Sequence, residues 1–147
     1  MVESEIERGP GYLVKRVQQG LRRRLDAELK LTGLSMAQYS VLRALHDHPD
    51  ASASDLARLC FVTRQSLRDV LNALSAADLV GPSDAPGRGR ARALKLTPLG
   101  LRRLKSSHAA VEGVEAEMLQ GMPAAARREL ATLLLRCAQN LEAAPND

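Results

Sequence analysis

The stretch that decides the fold runs from Ser52 to Val80 and reads SASDLARLCFVTRQSLRDVLNALSAADLV. It holds two helix starts close together. Ser52 and Asp55 form an S-x-x-D cap, and the short helix they open carries Leu56, Ala57, Leu59 and Cys60 before ending around Phe61 and Val62. Thr63 is a good N-cap for the next helix, predicted to run to about Ala77. In that helix Leu67, Val70, Leu71 and Leu74 recur at helical spacing and share one face. Gln65, Asp69 and Asn72 lie opposite them, with Ser66 and Arg68 on the flanks. One helix therefore has an apolar side to bury and a short, polar side to leave out. Two helices joined by so brief a turn have helix-turn-helix geometry.

Downstream, Leu79 and Val80 begin a strand, and Pro82 to Gly89 reads as a loop rich in proline and glycine. Arg90 to Leu96 alternates imperfectly and reads as the return strand of a hairpin. Thr97-Pro98 is an N-cap followed by proline at the first helical position, so a long helix starts there and runs to about Gln120. Leu104, Val111, Val114 and Met118 fall on one side of it. Gly121-Met122-Pro123 interrupts, and a last helix spans about Ala124 to Leu141.

Upstream, Ser35 and Gln38 make an S-x-x-Q capping box, which starts a helix near Met36 with Val41, Leu42 and Leu45 on its apolar face. His48-Pro49-Asp50 ends it. Before that lies a first helix from Tyr12 to about Leu31, striped by Leu13, Val17, Leu21, Leu25 and Leu29. Residues 1–10 read as a flexible, polar arm. The fold class is thus mainly α with a small β-hairpin wing: a winged helix-turn-helix core flanked by N- and C-terminal helices.

Composition agrees with this. Hydrophobic residues make up 45% of the 147-residue chain but aromatics only 2%, so the core must be aliphatic and helix-favouring. Lysine and arginine outnumber aspartate and glutamate by 21 to 17. Between Ala85 and Ala110 stand Arg88, Arg90, Arg92, Lys95, Arg102, Arg103 and Lys105 with no acidic residue among them, a local positive field that attracts phosphate. No apolar run reaches the roughly 18 residues of a membrane span, and nothing resembles a signal peptide, so a cytoplasmic location is expected.

The shape of DNA supplies the chemistry. A major groove admits one helix, whose N-terminal residues reach base edges. Here those residues are Thr63, Arg64, Gln65, Ser66 and Arg68, with Asn72 reading deeper. Arginine can bond guanine bidentately and glutamine can bond adenine. Asp69 is placed to read deeper as well, but it is an unusual charge to aim at DNA, and the alternative is that it orients Arg68 or another arginine. Arg88, Arg90 and Arg92 on the wing are expected to lie over the phosphate backbone or enter the minor groove.

From Leu34 to Gly100 the chain resembles the multiple antibiotic resistance regulator (MarR) family, through LTGLSMAQYSVLRAL, the helix-turn-helix stretch with its VTRQS segment, and RGRARALKLTPLG. The resemblance implies a homodimeric transcriptional regulator, a repressor acting on roughly palindromic double-stranded DNA sites. It implies dimerisation helices at residues 11–33 and 98–142 around a winged core at 34–97, with residues 143–147 as a tail. The dimer contacts expected are Leu13, Val17, Leu130, Leu133, Leu134, Cys137 and Leu141. By the same resemblance Arg90 falls on the wing arginine. An effector pocket for a phenolic or aromatic acid would lie between the dimer helices and the core, lined by Tyr12, Tyr39 and Arg43. Three positions depart from the family pattern: Arg88 stands where an aspartate is usual, Phe61 where a small residue or leucine is usual, and Asp78 where glycine ends the recognition helix.

Plainer readings stand beside these. Tyr39 also reads as a core residue of the second helix, Cys60 as a small buried hydrophobe, and Cys137 as part of an apolar stripe. Relatives that sense oxidants use a cysteine near the start of the first helix, which this chain lacks, so a redox response would have to run through Cys137. His46, His48 and His108 lack the spacing of a metal site, and no metal or cofactor is expected. No nucleophile–base set or phosphate loop suggests an enzyme. The remaining alternative is a winged-helix protein-interaction module that does not bind DNA.

Overall fold

Side-chain caps set where the helices begin. In the computed structural model, which describes residues 4–83 and 94–143, Ser35 and Gln38 close a reciprocal capping box at the start of α2 (Met36–Asp47). Ser52 and Asp55 do the same for α3 (Ala53–Leu59). Thr63 caps α4 (Arg64–Ala76) by accepting the Ser66 N–H. The remaining elements are α1 (Pro10–Lys30), β1 (Val80–Pro82), β2 (Leu94–Leu96), α5 (Pro98–Met118) and α6 (Ala124–Glu142). α1 opens at Pro10, before the Tyr12 that periodicity suggests, because proline fits the first helical position without losing a hydrogen bond. Ahead of it Ile6–Arg8 form a 3-10 turn. The hairpin is antiparallel, pairing Val80 with Leu96, Gly81 with Lys95 and Pro82 with Leu94. Pro82, expected in the loop, is tolerated as a strand residue because both strands of a two-stranded ribbon are edges.

Two compact units divide the chain, Met1–Val114 and Glu115–Asp147. In the first, α2 is central and packs against α1, α3, α4 and β2. Its Val41 and Leu42 are fully buried together with Leu29, Leu67 and Leu74. This aliphatic core is the one the composition demands. The α1 stripe is split: Leu25 and Leu29 are buried and Leu21 packs against the core, while Leu13 and Val17 remain exposed. In the second unit α6 has no buried residue, and Leu133, Leu134, Leu135 and Leu141 are exposed.

α3 and α4 end in the same way. After α3 the Phe61 N–H donates to the Arg58 carbonyl at 3.2 Å and the Val62 N–H to Ala57 at 3.0 Å. After α4 the Asp78 N–H donates to Ser75 at 3.0 Å and the Leu79 N–H to Leu74 at 2.9 Å. These are paired Schellman caps, whose pivotal residue must be left-handed. Phe61 has φ 55° and Asp78 φ 59°. Aspartate tolerates that region better than most residues, whereas phenylalanine there costs about 1 kcal/mol relative to glycine.

The L-T-P-L-G segment joins the wing to α5. The Thr97 hydroxyl donates to the Asp78 carbonyl at 2.6 Å and accepts the Gly100 N–H at 3.0 Å, and the Thr97 N–H donates to the Leu79 carbonyl at 3.1 Å. A Cβ on Gly100 would collide with that same Leu79 carbonyl. Further along α5, the buried Ser107 hydroxyl donates to Thr32 Oγ1 at 3.0 Å and Arg103 to the Thr32 carbonyl at 3.1 Å, tying the α1–α2 loop to α5.

Gly100→Ala should lower stability by roughly 1–3 kcal/mol through overpacking. Urea unfolding at fixed protomer concentration measures this. A change within about 0.5 kcal/mol, ordinary for a surface site, would show that α5 does not press on Leu79.

Candidate nucleic-acid interface

Burial orients α4. Leu67 and Leu74 are locked in the core, and Val70 and Leu71 pack against it. Thr63, Arg64, Gln65, Ser66, Arg68, Asp69 and Asn72 are all exposed. The recognition residues expected from the sequence thus lie together on one outward face, starting at the capped N-terminus. Asp69 accepts a hydrogen bond from Gln65 Nε2 at 3.2 Å, since residues four apart on a helix are neighbours. The bond steadies the Gln65 amide along the helix. Arg58 on the last turn of α3 is exposed and bound to Asp55 at 2.8 Å. The base of the hairpin follows α4 directly, whereas Arg88, Arg90 and Arg92 lie outside the described residues.

The three residues expected to line an effector pocket have different surroundings among the described residues. Tyr39 is buried on α2, and its hydroxyl meets His108 Nδ1 at 2.9 Å with the two rings stacked. His108 Nε2 in turn meets Glu112 at 3.1 Å. Arg43 is paired with Asp47 at 2.7 Å, a hydrogen bond that raises the guanidinium further above its ordinary value. Tyr12 lines an open cavity of about 560 Å³ formed on α1 with Lys15, Arg16, Gln19, Gly20 and Arg23. His108, set aside above as a metal ligand, is brought to Tyr39 by a contact that joins residues 69 apart, which no local pattern signals.

The comparisons with known proteins fit this geometry. A sequence model of the MarR family matches residues 32–91. The HTH-type transcriptional repressor Rv2887 of Mycobacterium tuberculosis is 33% identical over 124 residues, covering 84% of this chain and 89% of the relative. The chain belongs to the MarR family. A crystal structure of Rv2887 in complex with DNA superposes with a TM-score of 0.72 at 31% identity, covering 88% of this chain and 97% of that one. Its complex with salicylic acid gives 0.72 at 32% identity, covering 88% and 96%. The transcriptional regulator PA3341 gives 0.78 at 28% identity, covering 90% and 97%.

The cysteines of this MarR-family chain are both free. Cys137 is exposed on α6. Cys60 packs against the core at the end of α3, and burial pushes its thiol above the ordinary value. In a Cys137→Ser variant, alkylation of Cys60 at pH 8 should be slower than that of a free cysteine, since only the thiolate reacts. Mass spectrometry of the iodoacetamide time course checks it. Reaction at the free-cysteine rate would show that the thiol is not held in the core.

Proposed function

We propose that this chain is a homodimeric, DNA-binding transcriptional repressor whose hold on DNA is relieved by a small aromatic acid. The observation that carries the reading is α4: its apolar face is buried, and Thr63, Arg64, Gln65, Ser66, Arg68 and Asn72 are presented together on the outside. A helix so placed can enter a major groove with its first turn against base edges. The related Rv2887, which superposes over most of both chains, has been crystallised in complex with DNA, which supports the same use here. Arg88, Arg90 and Arg92 would then hold the backbone beside the groove.

Dimerisation follows from two exposed apolar surfaces, Leu13 and Val17 on α1 and Leu133, Leu134 and Leu141 on α6, with Leu130 and Cys137 beside the latter. Such stripes are costly in water and suit a second copy of the chain. A twofold dimer would set two α4 helices into successive major grooves about 34–36 Å apart. The salicylic acid complex of Rv2887 supports an aromatic acid as effector. Tyr39, Arg43 and Tyr12 are proposed to meet it, with His108 beside Tyr39. No helix among the described residues is long and apolar enough to cross a membrane, and a regulator of DNA belongs in the cytoplasm with it.

Two sets of variants test the reading. Arg64→Ala and Gln65→Ala should each cost about 1–3 kcal/mol on a selected duplex and flatten the preference at one base position. Arg90→Ala should instead weaken all duplexes alike and reduce the salt slope by about one. Fluorescence anisotropy across a salt series separates the two, and unchanged binding in all three would remove α4 from the groove. Replacing both Leu133 and Leu134 with glutamate should give a monomer in sedimentation and lower DNA affinity roughly 100-fold or more, through loss of the second half-site. A dimer that survives this change would move the interface elsewhere.

A further inference from the structure

The ring of Phe61 is the least explained side chain in the helix-turn-helix. It is 94% exposed, more than any other large hydrophobic residue among those described. It also sits at φ 55°, where glycine is the natural occupant. Neither cost is recovered within the chain, since the cap itself needs only the backbone of residues 57–62. Glycine would close the same turn with less strain and no apolar ring in water. A residue that is unfavourable both locally and in its solvation points to an external contact.

Its surroundings say what that contact is. Phe61 precedes by two residues the cap of α4, so it stands at the end of the helix that would enter the groove first. Along the chain Arg58, paired with Asp55, precedes it, and exposed Arg64 and Arg68 follow on α4. An apolar ring at the head of a helix that carries exposed arginines suits a polyanion that also has apolar points. In a major groove the apolar point is the thymine C5-methyl group, which phenylalanine can cover.

We infer that Phe61 is a specificity-determining residue that packs on a thymine methyl at the edge of the site read by Arg64 and Gln65. The inference rests on the DNA-binding reading above. It adds a preference that hydrogen-bonding residues alone would not give: thymine over uracil at one position in each half-site.

The probe is a duplex of about 30 base pairs enriched by the wild-type protein from a random pool, one helical turn or more beyond two half-sites. Anisotropy titrations compare wild type, Phe61→Gly and Phe61→Asn on this duplex and on versions with deoxyuridine replacing each thymine in turn. Wild type should lose about three- to tenfold in affinity at one thymine per half-site, the value of one buried methyl group. Both variants should bind the parent duplex about five- to thirtyfold more weakly, show no further loss on that deoxyuridine duplex, and keep the wild-type salt slope. Their melting temperatures should equal or exceed that of wild type, which separates a lost contact from a damaged turn. Parent-duplex affinity unchanged in Phe61→Gly would overturn the inference, as would deoxyuridine effects equal in wild type and variant. A change in oligomeric state without a change in affinity would overturn it too, assigning the ring to a protein contact. If the wild-type protein enriches no duplex at all, the failure lies in the DNA-binding reading itself.

Discussion

Everything functional in this chain depends on how α4 is held. Leu67 and Leu74 are sunk completely into the core, and α2 lies against them as the central element of the unit. Removing one such leucine would typically cost 2–5 kcal/mol, a large share of a small domain's stability. The rotation of α4 about its axis is therefore fixed by packing. Its outward face is the residue of that choice, and it bears the side chains suited to base edges. The core sets the face on which Arg64 and Gln65 stand, and Asp69 steadies the Gln65 amide.

The two ends of α4 reinforce this. Schellman caps close α3 and α4, so the chain enters and leaves the helix along defined directions. Beyond the second cap, Thr97 and Gly100 press the start of α5 against the Asp78–Leu79 backbone. The wing is thereby anchored at the point where α4 ends. The start of α5, the base of the hairpin and the end of α4 are thus tied at one point.

Much of this was legible in the sequence because the deciding interactions are short. Capping boxes at Ser35 and Ser52, the Thr63 cap and the Thr97-Pro98 start all act over three residues. The apolar stripe of α4 repeats over seven, whereas the left-handed Asp78 follows only from the resemblance, which puts glycine at that helix end. The Gln65–Asp69 bond also lies within one turn.

What the amino acids determined alone was therefore the set of elements and the face each one prefers to bury, since those follow from hydrogen bonds and periodicities local to each segment. The folded chain decided the rest. It divided the α1 stripe into a buried half and an exposed half, joined Tyr39 to His108 and Thr32 to Ser107, and made Gly100 indispensable by bringing Leu79 against it. Such contacts link segments distant along the chain. Their existence depends on which surfaces meet once the core has formed, and no local pattern encodes that.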